Sequence, residues 1–217
     1  MIFRFALKTL FVLPSLAGGA VMLNQVETFD NPTDWTSGSR NPTPPIIRPS
    51  TGPNGSGDSA LQISSSVGNG PGSRLISFNQ GDWSGNYSGQ GITGLSMDLR
   101  NTGASNLFVR IAVNGPGGWF VTDGQAVNSG LGYATFLFGI EPAQLNPAAT
   151  RVTLGDDAGA TLADVSEIRI LHSFANSSAL GEVANASLRV DNITAVPEPG
   201  VGLLAGLSLL FLRFRKR

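Results

Sequence analysis

Aromatic side chains carry most of the recognition chemistry open to this 217-residue chain, which has three tryptophans, two tyrosines and one histidine. An indole or phenol face packs against the C–H surface of a sugar, and neighbouring amides and acids serve its hydroxyls. Trp83, Asn86 and Tyr87 share one polar loop and form the best local cluster of that kind. Trp119 opens a strand after Gly115-Pro116-Gly117-Gly118 and completes the candidate sugar-binding set. Trp35 and Trp119 also read as packing residues. Catalytic options are thin. His172 lies in an apolar strand, cysteine is absent, and no Gly-x-Ser-x-Gly elbow occurs. A zinc site would lack ligands. Asp98 and Asp123 make a carboxylate pair in name, but nothing in the sequence sets the separation of about 5 to 9 Å that glycoside hydrolysis needs. No catalytic residue is assigned.

The elements that must position these groups are strands. Glycine and proline number 28 and 13, charged residues make up only 13% of the chain, and short apolar alternations recur between turn signals. Val26–Asp30, Ala60–Ser65, Arg74–Phe78, Ile92–Arg100, Leu107–Asn114, Trp119–Thr122, Tyr133–Phe138, Arg151–Leu154, Glu167–His172 and Ser187–Ile193 read as strands. Their alternation places Leu95, Met97 and Leu99 on one face, and Val109, Ile111 and Val113 on another. Leu188, Val190 and Asn192 form the inward set of the last strand. Glu141–Leu145 reads as one helical turn, and Leu162–Val165 and Asp156-Asp157 as turns. Asn41–Pro49 cannot be a central strand because of its prolines and is a loop or an edge segment. With no amphipathic helix in view, the expected fold is all-β: a two-sheet β-sandwich, jelly roll by preference. Periodicity does not separate that topology from an immunoglobulin-like one.

Both ends differ from the body. Residues 1–20 hold Arg4 and Lys8, an apolar stretch, and Ala17-Gly18-Gly19-Ala20, the pattern of a signal helix cut by signal peptidase after Ala20. Residues 21–195 hold eight Arg, fourteen acids and no Lys, a net charge of −6. Such a domain is a poor partner for nucleic acid. Residues 196–217 comprise Val196-Pro197-Glu198-Pro199, an apolar run from Val201 to Leu212, and the basic cluster Arg213, Arg215, Lys216, Arg217. The run is shorter than the roughly 20 residues of a full membrane span. The basic cluster would stay cytoplasmic and leave the rest of the chain outside.

This three-part ending resembles the PEP-CTERM sorting signal. The resemblance implies recognition by a membrane-embedded exosortase, with Val196, Pro197, Glu198 and Pro199 as the processing motif. It also implies transient anchoring of the C-terminal transmembrane helix in the inner membrane. Delivery to the cell surface or extracellular matrix follows, with a link to exopolysaccharide and biofilm. The leading expectation is therefore a non-enzymatic surface or matrix protein. The alternative is a carbohydrate-binding module that recognises a polysaccharide, and an enzyme acting on polysaccharide comes third.

The body is also similar, loosely, to jelly-roll carbohydrate-binding modules of the galactose-binding-like type. The matching stretches are Val26-Glu27-Thr28-Phe29-Asp30 with Trp35, Leu95–Arg100, and Leu188-Arg189-Val190-Asp191-Asn192-Ile193. In that family an acid on the first strand and an aspartate on the last often share a structural calcium. The resemblance assigns those places to Glu27 and Asp191.

Overall fold

The computed structural model describes residues 20–38, 41–65, 68 and 73–197. The signal segment up to residue 19, Glu198, Pro199, and the basic cluster Arg213, Arg215, Lys216 and Arg217 lie outside the described residues.

Two six-stranded antiparallel sheets face each other. The first runs β2 (Ile46–Arg48), β3 (Ala60–Ser64), β12 (Ser187–Val196), β5 (Gly94–Asn101), β9 (Ala134–Gly139), with β1 (Val26–Glu27) on the far part of β12. The second runs β10 (Leu145–Ala148), β7 (Gly118–Thr122), β6 (Leu107–Gly115), β11 (Glu167–His172), β4 (Ile76–Asn79), with β8 (Gln125–Val127) on the end of β6. Jelly-roll order is visible in the crossovers: the last strand lies between the third and the fifth, and the eleventh between the fourth and the sixth.

The expected faces form the core. Leu95, Met97 and Leu99 of β5 meet Val109, Ile111 and Val113 of β6 and Leu188 and Val190 of β12, all essentially without solvent contact. Each such side chain stabilises the fold by roughly 1.5–3 kcal/mol through area removed from water. The alternation of β12 breaks after Asp191. Asn192 takes φ +50°, and the pairing with β5 jumps from Asp191↔Asp98 to Thr194↔Ser96. This bulge turns Ile193 and Ala195 inward in place of Asn192.

Other differences have local causes. β1 stops at Glu27 because Phe29 adopts φ +56°, outside any strand geometry. The proline-rich segment supplies β2, a three-residue edge strand. The helical turn expected over Glu141–Leu145 is a 3-10 turn, Pro142–Gln144. No strand forms at 151–154; its place is taken by β10, where Pro147 is tolerated at the sheet edge. The turns expected around Asp156 and Leu162 are instead the cap and body of a short helix, α1 (Ala158–Ala163), with Asp157 Oδ1 accepting from the Ala160 amide at 2.8 Å.

Candidate functional site

The loop between β4 and β5 does not present its aromatics. Trp83 and Tyr87 are completely buried. Asn79 pulls the loop inward, its Oδ1 accepting from the Gly81 and Trp83 amides at 2.9 and 3.2 Å. The Tyr87 hydroxyl donates to the Trp83 carbonyl at 2.8 Å, and burial raises that phenol far above its ordinary range. Neither ring can stack on a sugar, which corrects the expectation for both. Asn86 is exposed, but its Oδ1 closes a local turn on the Gly89 amide at 2.6 Å. Trp35 is also a core residue.

Trp119 is placed differently. It lies on the outer face of the second sheet, opposite Asn114 of β6 and Ala148 of β10, and is partly buried. On β11, two strands away, Arg169 stands level with Ala112 of β6 and Val121 of β7. Because Ala112 is small, the Arg169 side chain crosses over it. Its guanidinium carbon sits 3.9 Å from the Trp119 ring centroid and 5.9 Å from that of Phe78. Such a contact contributes about 0.5–2 kcal/mol, more as water is excluded. The guanidinium is fixed on its other sides. Nε donates to Glu167 Oε1 at 2.6 Å, and Nη1 donates to the Ala179 carbonyl at 2.6 Å. Glu167 in turn accepts from Gln80 Nε2 at 2.6 Å. Phe78, Arg169, Trp119, Asn114, Glu167 and Gln80 thus make one aromatic and polar surface. Of these, sequence reasoning had found Trp119 alone. The signal for Arg169 was present in Glu167–His172, where it is the polar member of an alternating strand.

A strap between β11 and β12, residues 173–186, crosses the same face. Ala179 joins a small apolar cluster with Ala112, Val121, Ala148 and Leu171, and the strap bonds across to Ala149 from Ser177 and Ala179 at 3.1 Å each. Arg110, buried on β6, donates to the carbonyls of Ser173, Thr122 and Phe174 at 3.0, 2.8 and 3.3 Å. Glu182 Oε1 accepts from Ser173 Oγ at 2.7 Å and the Phe174 amide at 3.0 Å. The strap covers the middle of the face and leaves Trp119 towards one end and Phe108 with Phe174 at the other. Those two rings are 5.2 Å apart, and Phe174 is 63% exposed.

The calcium assignment fares unevenly. β1 does lie beside β12, but Glu27 is level with Ile193, and the bulge separates it from Asp191. Glu27 lines an open groove of about 340 Å³ with Gln25, Met22 and Asp82. Burial raises its carboxyl, with Asp82 and Asp34 adding to the effect. Asp191 has its own acidic surroundings. Burial pushes its carboxyl up to about 7, and Asp58, Asp98 and Asp30 push the same way. Glu27 and Asp191 therefore sit in separate clusters. Among the described residues no group of three or more His, Cys, Asp or Glu side chains is disposed to hold a metal. Asp191 alone still fits a cation: it is fully buried, and its Oδ2 has no hydrogen-bond partner. That oxygen and Asp58 Oδ2 converge on Gly52, where a Cβ would come within 2.9 and 2.4 Å of them. Two carboxylates and the carbonyls of this loop are the hard oxygen donors calcium takes.

No family model and no curated protein matches the chain. Solved structures do. An exo-β-agarase matches with a TM-score of 0.55 and 14% identity over 82% of this chain, which spans only 26% of the enzyme. CtCBM11, a module solved in solution with binding studies, matches with a TM-score of 0.54 and 14% identity over 87% of this chain and all of that one. The family 11 carbohydrate-binding module from Clostridium thermocellum, in complex with a β-1,3-1,4-mixed-linked tetrasaccharide, matches with a TM-score of 0.50 and 15% identity over 80% of this chain and 95% of that one. The fold is the jelly roll of carbohydrate-binding modules. At these identities the likeness is one of architecture. The chain matches the whole of such a module and only a quarter of the agarase, so the agarase as a whole is no guide to its chemistry.

Proposed function

We propose that residues 21–195 form a non-catalytic polysaccharide-binding module, exported and then displayed on or released from the cell surface. The observation that carries the binding reading is Trp119. It is the one tryptophan of three that reaches the surface, and it lies on a sheet face beside Arg169, Asn114 and Gln80. The Arg169 guanidinium stacks on the indole, so what a sugar chain meets is the exposed remainder of the ring with charged and amide neighbours for its hydroxyls. The ligand of the family 11 module, a β-1,3-1,4-mixed-linked tetrasaccharide, points to a mixed-linkage β-glucan as the first polymer to try.

Processing by signal peptidase and exosortase is supported by where the ladder ends. Val21 is buried and its amide donates to the Ser84 carbonyl at 2.8 Å, so a cut after Ala20 keeps every core residue among those described. At the other end, β12 holds its register through Val196↔Gly94, and the Thr93 amide donates to the Val196 carbonyl at 3.0 Å. Pro197 has no amide to lose, so a cut at Val196–Pro197 would break no strand pairing among the described residues. A calcium ion held by Asp191 and Asp58 would supply the charge that the buried Asp191 lacks, tying the β2–β3 loop to β12.

The test is retention of the exported protein by insoluble and soluble polysaccharides: mixed-linkage β-glucan, agarose and the producing cell's own exopolysaccharide. Saturable retention by at least one, weakened about tenfold in Trp119→Ala, a loss near 1.4 kcal/mol, is expected. Absence of retention by all of them, from protein with a native melting curve, would overturn the binding reading. The mass of the exported protein tests the processing. A form still carrying Arg213–Arg217 contradicts it.

A further inference from the structure

The outer face of the first sheet holds two arginines that form no ion pair with a described residue. Arg189 of β12 and Arg100 of β5 stand directly opposite one another in the antiparallel register, with Gln62 of β3 next in the row. Like charges set opposite across strands repel. Both Nε atoms are buried without a hydrogen-bond partner. The ion pair found among the described residues is Arg169–Glu167, on the other sheet. The nearby acids make their hydrogen bonds to other groups, although Asp191 Oδ2 makes none. Asp98 accepts from Thr135 Oγ1 at 2.5 Å and from Asn192 Nδ2 at 2.9 Å. Asp58 accepts from the Asn54 amide at 2.7 Å, and Asp191 from the Asn192 amide at 2.7 Å. Tyr133 flanks the arginines, its hydroxyl tied to the Thr51 carbonyl at 2.6 Å.

We propose that Arg100 and Arg189 form a binding site for the carboxylate of an acidic, uronate-bearing polysaccharide, with Tyr133 as its flanking ring and Gln62 as a neighbouring amide. Guanidinium forks match the two oxygens of a carboxylate in planar, bidentate fashion. A carboxylate held on the terminal Nη donors of the two forks would offset the repulsion between them. Over residues 21–195 the net charge is −6, from eight Arg against fourteen acids. A polyanion is therefore repelled by the surface as a whole, and its retention requires a local cationic site. This site is on the opposite sheet from Trp119 and does not depend on the reading of that face.

The test is equilibrium binding of the exported protein to sodium alginate, a polyuronate, in calcium-free buffer, beside neutral dextran and dextran sulfate. Alginate is expected to bind at least tenfold more tightly than dextran. Arg100→Gln with Arg189→Gln should lose about tenfold or more in alginate affinity, and Arg151→Gln, an exposed arginine outside the site, should lose nothing. Arg189→Gln alone serves if the double variant lacks a native melting curve. The paired Lys variants keep the charge but not the fork, and should also lose affinity. Unchanged alginate binding in a folded Gln variant would overturn the proposal. So would dextran binding as tightly as alginate, or tighter binding of dextran sulfate, which would make the pair a sulfate site. The wild-type protein is titrated with mixed-linkage β-glucan in parallel: alginate binding without glucan binding overturns the Trp119 face and leaves this site standing, and glucan binding without alginate binding does the reverse.

Discussion

Arginines occupy the outer faces of both sheets, in opposite circumstances. On the second sheet Arg169 is clamped by Glu167, by the Ala179 carbonyl and by two aromatic rings, and Arg110 spends all three of its nitrogens on carbonyls. On the first sheet Arg100 and Arg189 face each other with orphaned Nε atoms. The strand propensities and alternation around them are alike. What differs is the neighbour two residues away on the same face and the presence of a strap. Arg169 has a glutamate there and Arg189 has an aspartate already bonded to Asn192. Arg110 and Arg169 have the strap to donate to, and the first pair has none. One face uses arginine to hold itself together, and the other leaves it open for a ligand.

The largest expected effect belongs to neither face and sets the scale for both. Trp83→Ala removes a fully buried indole from the core and should cost about 3–5 kcal/mol, a drop in melting temperature on the order of 10 °C. A near-native melting curve would return Trp83 to the list of surface candidates. Next is the clamp: Arg169→Gln leaves buried Glu167 without its cation and should destabilise by about 1–3 kcal/mol in urea unfolding. If it proves neutral, the second sheet's arginines are no more structural than the first's and the contrast fails. Calcium should act on the first sheet alone. Added calcium is expected to raise the melting temperature, by about 2.7 kcal/mol of stabilisation at a hundredfold excess over Kd, and Asp191→Asn should abolish the rise. An unchanged melting temperature in chelator removes the ion from the account.

A smaller effect concerns pH and the strap. Burial lowers the His172 pKa, only partly offset by the Phe108 backbone and Glu182. The Phe108 amide donates to its Nδ1 at 3.0 Å, which suits the neutral ring. The folded protein thus binds fewer protons than the unfolded chain. This stability is fully present above the unfolded value near 6.5 and is lost as pH falls through the lower folded value. Chemical unfolding from pH 7 down to 5 should show that loss, and His172→Gln should flatten it. A slope unaltered in the variant would clear His172 of the effect. The smallest change is Arg100→Gln, expected to alter stability by less than about 0.5 kcal/mol because it breaks no ion pair among the described residues.

Much of this architecture was legible. β5 and the first half of β12 follow period-2 alternation because one face lies on the core, while β6 and β11 keep the inward residues the pattern selects but also bury Ala112 and Leu171 on the outer face. What was hidden depended on long-range packing. The loop around Trp83 and Tyr87 is polar in composition, so nothing local says that Asn79 folds both rings inward. Asn192 looked inward until the bulge, a property of the pairing with β5, shifted the register. The same bulge separates Glu27 from Asp191. α1 was too short to show a helical period. The meeting of Arg169 with Trp119 depends on a small residue, Ala112, on the strand between them, a relation visible only once the strand order is known.

The central claim, that Trp119 meets the polysaccharide, is tested most directly by tryptophan fluorescence. Trp35 is 5% exposed and Trp83 not at all, so a glycan that changes the solvent around an indole must act at Trp119. Titration with the retained polysaccharide is expected to give a saturable emission shift and protection from acrylamide quenching, both absent in Trp119→Phe. A shift that persists undiminished in Trp119→Phe, or saturable binding that leaves the emission of the wild-type protein unchanged, would contradict the account.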